Sequence, residues 1–174
     1  MDLIQKTKSA LLVIDVQQEM FEKNTPVYSA EQMLANINAL AEKARATGAA
    51  VVFIQHDAEK QLVKGTPGWQ VHSALKIEAG DLRVHKQISN SFEKTDLKAL
   101  LDARGVQRVV TCGMVTHGCV KNTSLGALAE GYQVVLAADA HSSYSPDAAE
   151  KIAEWNQTLA KAGVQVLPSA EIQF

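Results

Sequence analysis

TGAAVVF, residues 47–53, places a glycine at the end of a helix-like run and follows it at once with an unbroken apolar stretch. Glycine ends a helix there because it takes the left-handed C-cap conformation without a steric penalty. An apolar run with no polar alternates reads as a strand covered on both faces. The same unit returns as RGVQRVV (104–110), EGYQVVL (130–136) and AGVQVL (162–167). Four such returns from helix to strand imply right-handed crossovers and a sheet with helices on both sides. The expected fold is α/β: three α/β/α layers around a mostly parallel, six-stranded, Rossmann-like sheet.

Working outward, SALLVIDV (9–16) is a first buried strand with Asp15 at its carboxyl end. Ser29 to Gln32 offers a capping box ahead of Met33, Ile37, Leu40 and Ala44, which carry a helix to about Thr47. The strand from Ala49 to Gln55 ends at His56. Residues 57–80 contain Gly65, Pro67, Gly68 and Trp69 and read as a long loop, with at most one short helix from Trp69 to Leu75. DLRVHK (81–86) is a weaker strand ending on Lys86. Thr95 caps a helix bearing Leu97, Leu100 and Leu101, and the strand from Gln107 to Cys112 follows. In VVTCGMVTHGCVKNT (109–123) that strand bends into a helix opening on Cys119, expected to reach Gly131. YQVVLA (132–137) ends near Asp139, Ser145-Pro146-Asp147 start a helix with Ala148, Ile152, Trp155 and Leu159 on one face, and Val164 to Leu167 is the last strand. Ligands of parallel sheets bind outside the carboxyl ends of the strands, so Asp15, His56, Lys86, the bend before Cys119 and Asp139 converge on one rim.

The 174 residues fit one domain, 1–174, which buries roughly 70% of its unfolded surface. With 47% hydrophobic residues, a net charge of -2 and a pI near 6.2, there is no basic field for nucleic acid. The opening MDLIQKTKSA lacks the pattern of a signal peptide, and no apolar run reaches the ~20 residues of a membrane span. A cytoplasmic protein without membrane partners is expected, with Cys112 and Cys119 as free thiols.

A thiol at a helix start feels the positive end of the helix dipole, which favours thiolate. Lys86 would add to that, and Asp15 could take and return the proton. Cys119 is thus the candidate nucleophile, whereas Cys112 lies mid-strand and is expected to be inert.

LLVIDVQ (11–17), KQISNSF (86–92), CGMVTHGCV (112–120) and AADAHSS (137–143) together resemble the successive signatures of the isochorismatase-like cysteine hydrolases, over nearly the whole chain. The resemblance implies that Asp15, Lys86 and Cys119 form a catalytic triad. It also implies a non-proline cis peptide between Met114 and Val115, and an oxyanion hole made by the N–H groups of Val115 and Cys119. The activity implied is acyl transfer, in which Cys119 attacks an amide-like carbonyl, Asp15 protonates the departing amine, and water cleaves the thioester.

Nicotinamidases within that family carry an Asp-x-His pair and a second His for a metal, whereas this chain reads Gln55-His56-Asp57, with His72 further on. No metal and no cofactor are therefore expected. His56, His117, Phe21 and Trp69 are candidate substrate-binding residues, Phe21 and Trp69 as flanks for a planar group. Two alternatives stay open: vinyl-ether hydrolysis of the isochorismate type, and a catalytically silent binding or redox module. The family further implies a homo-oligomer, a dimer or higher. The apolar residues Trp69, Val71, Leu75 and Ile77 of the 57–80 loop, and the small residues between Thr116 and Glu130, are consistent with packing against another surface.

Overall fold

The computed structural model describes residues 7–174, so most of the MDLIQKTKSA opening lies outside the described residues. Six strands, β1 (Ser9–Ile14), β2 (Ala50–His56), β3 (Leu82–Lys86), β4 (Arg108–Met114), β5 (Gln133–Ser142) and β6 (Gln165–Leu167), form one sheet in the order β3-β2-β1-β4-β5-β6. Every neighbouring pair is parallel. The strand order reverses direction between β1 and β4, which opens the crevice where such sheets take ligands.

Alternation along each buried strand divides the core into two layers. Leu11, Val13, Val51, Phe53, Val110 and Cys112 point to the face covered by α1 (Ala30–Ala46). Leu12, Ile14, Val52, Ile54, Val109 and Leu136 point to the other face, covered by α2 (Leu97–Asp102), α3 (Lys121–Ala129) and α4 (Ala148–Lys161). Among the described residues, no helix is long and apolar enough to cross a membrane.

Several local expectations are corrected. Ser29 takes a left-handed backbone (φ 48°), so its hydroxyl makes no cap and its carbonyl oxygen receives the Met33 N–H at 3.0 Å. The 57–80 loop holds only a single 3-10 turn, Pro67–Trp69. It packs on its own chain: the His72 N–H reaches the Val16 carbonyl at 2.8 Å, and Leu62, Trp69 and Leu75 are buried. β5 runs on to Ser142, past Asp139, because its register slips against β4: Thr111 pairs with Leu136, but Gly113 pairs with His141. Asp139 therefore leaves the rim, and its carboxylate accepts the N–H and hydroxyl of Ser169.

Gly113 permits the close approach of β4 to the end of β1. Its φ is +115°, and a Cβ there would sit 2.1 Å from the Ile14 carbonyl oxygen. Only glycine fits that position. The small residues of α3 serve contacts inside the chain: a Cβ on Gly126 would meet Asn90 Oδ1 at 2.3 Å, and Ser124 bonds Thr111 at 2.8 Å. Trp69 and Leu75 of the 57–80 loop are likewise satisfied within the chain, while Ile77 remains exposed.

Candidate active site

Parallel pairing sets Lys86 at the end of β3 directly beside His56 at the end of β2. One strand further in, Asp15 leaves β1 with φ 51°, and its N–H is held by the Ile54 carbonyl at 3.0 Å. Beyond β4 the chain forms a wide π-type turn, Thr116–Val120, interrupted at Gly118, and Cys119 lies in that turn ahead of α3. The break at Gly118 makes Cys119 the first helical residue of the run that continues through Val120 into α3, so the thiol sits at the opening of a helix, as the sequence suggests.

Lys86 ties these segments together. Its side chain is 0% exposed, and Nζ lies 3.0 Å from Asp15 Oδ2, 2.9 Å from His56 Nδ1 and 3.3 Å from Cys119 Sγ. An ammonium has three donors and no acceptor, and here each donor meets one acceptor. His56 must then accept through Nδ1 and carry its hydrogen on Nε2. Burial, with the charge of Lys86, lowers the His56 pKa and keeps the ring neutral. His56, expected only as a pocket residue, belongs to the cluster itself.

Burial raises the Asp15 carboxyl above its usual range, against the opposing pull of Lys86 and of hydrogen bonds from Cys119 and Lys86. Asp15 Oδ1 is buried and has no hydrogen-bond partner among the described residues, so one carboxylate oxygen is free to receive a proton. The Cys119 thiol is pushed up to about 11, first by burial and then by the Asp15 charge, which together outweigh Lys86. Burial and the Asp15 charge thus oppose the thiolate that the helix start and Lys86 favour. Cys112 is fully buried, and burial drives its thiol still higher.

Two contributors escape a reading based on charge and spacing. Ser89 Oγ lies 3.6 Å from Cys119 Sγ and accepts the Asn122 side-chain amide at 2.7 Å. Gln17 accepts the His56 N–H at 2.9 Å and donates to the carbonyls of His56 (3.1 Å) and Trp69 (2.9 Å), which fixes the β2 end against the 57–80 loop. Both sit inside the quoted motifs, Gln17 two residues after Asp15 and Ser89 three after Lys86, and that proximity was the available signal.

The remaining candidates are placed differently. Phe21 packs against the His72 ring, centroids 4.3 Å apart. Trp69 is only 8% exposed, donates its indole N–H to Asp57 and meets His85 edge-on, so it anchors the loop and presents little open face. His117 is half-buried and held neutral by burial, with Nδ1 unpartnered among the described residues. The Met114–Val115 peptide is cis. Ligand atoms of Asp15, His56 and Cys119 lie within 4.8 Å of one another, close enough to share a metal ion. The Lys86 ammonium already bonds all three, so a divalent cation there would meet a fixed positive charge.

The Isochorismatase domain profile matches residues 9–171. The chain belongs to the isochorismatase family. Among its family relatives, streptothricin hydrolase of Streptomyces noursei is 39% identical over 149 residues, covering 83% of this chain and 53% of that protein. The chain therefore spans about half the length of that curated relative. An uncharacterized isochorismatase family protein, YddQ of Bacillus subtilis strain 168, is 31% identical over 149 residues and 83% of each chain. The crystal structure of an isochorismatase family protein from Desulfovibrio vulgaris Hildenborough superposes with a TM-score of 0.86 at 27% identity, covering 94% of this chain and 95% of that one.

Proposed function

We propose that the protein is a cysteine hydrolase that cleaves the C–N bond of a small amide-like substrate through a Cys119 thioester. The observation that carries this reading is the Lys86 ammonium, which holds a carboxylate, a neutral imidazole and a thiol within hydrogen-bond reach of one point. Streptothricin hydrolase, by its name a hydrolase, supports the class of reaction.

In this reading Sγ attacks the carbonyl carbon, and the thiol proton passes to the free Oδ1 of Asp15. The N–H groups of Val115 and Cys119 receive the developing oxyanion. Asp15 then gives its proton to the amine as the C–N bond breaks. Water next forms a C–O bond and releases sulfur, its proton travelling through Asp15 back to Sγ. Lys86 keeps Asp15 charged against the cost of burial and steadies the sulfur as negative charge grows on it.

A thiol at about 11 suits this sequence, since the nucleophile is made when Asp15 takes its proton and is not stored beforehand. Vinyl-ether hydrolysis would need the acid and leave the sulfur without a task. Screening primary amides, ureides, carbamoyl compounds and isochorismate, with intact mass spectrometry of the quenched enzyme, tests the reading. An acyl adduct on Cys119 is expected. Turnover of isochorismate alone, without an adduct, would overturn it.

Homo-oligomerisation is proposed on family grounds alone. A monomeric mass by light scattering at micromolar concentration, with undiminished specific activity on dilution, would remove it.

A further inference from the structure

We propose that Thr116, His141 and Asn156 form a directional hydrogen-bond relay that positions the turn carrying Val115 and Cys119, with His141 held as the Nε2–H tautomer. None of the three belongs to the Asp15, Lys86 and Cys119 cluster, and His141 lies in the AADAHSS stretch whose histidine has no role in the chemistry above.

The relay can be oriented from its outer end. Asn156 lies on α4, and its side-chain Nδ2 donates to the Ala138 carbonyl at 3.2 Å. Reversing the amide would set two oxygens against each other, so the Ala138 carbonyl fixes Oδ1 on the opposite side, 2.8 Å from His141 Nε2. An oxygen acceptor there requires the hydrogen on Nε2. Nδ1 is then a lone pair, and the Thr116 hydroxyl, 2.8 Å away, must donate to it. Thr116 and His141 are 1% and 3% exposed, so water does not compete for either bond. Burial also lowers the His141 pKa, consistent with a neutral ring.

The relay fastens the turn at its first residue. Within the turn the Val115 carbonyl accepts the N–H groups of Gly118 (3.0 Å) and Val120 (3.3 Å). Those bonds close the loop but do not fix where it sits over the sheet. The Thr116 hydroxyl does, binding it to β5, and through His141 to α4. The register slip of β5 makes this possible, since it sets His141 opposite Gly113 and brings the Ala138 carbonyl to Asn156. A turn displaced by a fraction of an ångström would carry the nucleophile and the proposed oxyanion donors out of line together.

The role rests on the thioester reading, so its test separates the two. Histidine-labelled protein observed by nitrogen NMR reports the tautomer without any substrate. Nε2–H with an unprotonated Nδ1 is expected, and Nδ1–H overturns the relay. The second arm uses p-nitrophenyl acetate: Cys119 Sγ bonds the acetyl carbon, p-nitrophenolate leaves, and the thiol proton goes to Asp15. Thr116→Val, which keeps shape and loses the hydroxyl, should lower the maximal acylation rate about tenfold at unchanged half-saturation. Thr116→Ser should restore it to within about twofold. Asn156→Ala, at a half-buried site, is the second variant, and it should mix the His141 tautomers and slow acylation. Unchanged acylation in Thr116→Val, beside its loss in Cys119→Ala, overturns the relay and leaves the thioester reading standing. A burst that survives in Cys119→Ala overturns the thioester reading, and the relay's purpose with it.

Discussion

Lys86 Nζ lies 3.3 Å from Cys119 Sγ, yet the thiol is pushed up to about 11. Proximity of a cation does not by itself make a thiolate. The same ammonium is shared with Asp15, whose negative charge acts on the sulfur in the opposite sense, and burial penalises any ionised sulfur.

Asp15→Asn should therefore separate reactivity from catalysis. Removing the carboxylate charge lets Lys86 act on the sulfur unopposed, so the thiol pKa falls from about 11 and iodoacetamide alkylation at pH 8 accelerates. Turnover should fall by roughly 10³-fold or more, because the proton acceptor is gone. Loss of both alkylation and turnover would show that Asp15 does not oppose the thiolate.

The pH profile follows from the same pair. Asp15 must be ionised to accept the thiol proton, and burial raises its pKa. Activity is present above that pKa and is lost as the pH falls through it. The acid limb of kcat/KM should thus lie above 3.8, the value of an ordinary aspartate. A limb at or below that value would contradict the assignment of Asp15 as base.

Cys119→Ala should reduce turnover by on the order of 10⁴-fold, with the fold intact. Cys112→Ala should leave turnover within about twofold and cost about 1 kcal/mol of stability, since it removes one buried sulfur. Urea titration beside a rate assay reads both, and equal loss of activity in the two variants would remove Cys119 from its role.

Chelation should leave the rate unchanged. The three groups close enough to share a metal are already bonded to Lys86, and a divalent ion would have to displace or repel that ammonium. Activity lost with EDTA and regained with zinc or iron would be the contrary result.

Gly113→Ala should fail on structural grounds. The added carbon would lie 2.1 Å from the Ile14 carbonyl oxygen at a backbone φ of +115°, so β1 and β4 must part. A destabilisation of about 3 kcal/mol or more is expected by thermal or urea unfolding.

The sheet could be read from the glycine-strand units because a strand buried on both faces leaves an unmistakable apolar run. Asp15, Lys86 and Cys119 could be read because each closes such a run or lies in the bend after one. What escaped the sequence depends on three-dimensional accidents of packing. The register slip that moves Asp139 to Ser169 and brings His141 to Thr116 has no local signature in YQVVLAADAHSS. The Ser29 capping pattern was present, but the backbone entered α1 left-handed and left it unused. The electrostatic balance at Cys119 is legible only in part, because a dipole and one cation can be seen in a sequence, whereas the depth of burial and an opposing carboxylate cannot.

The three hydrogens of the Lys86 ammonium are all engaged and the side chain is 0% exposed. This lysine is consequently shielded from chemistry aimed at amines: acetylating reagents and aldehydes that mark surface lysines have neither a path to it nor a free electron pair to meet. Its labelling would report that β3 has come away from β1 and β2, so a mass-spectrometric footprint of Lys86 reads the integrity of the sheet end on which the whole site is assembled.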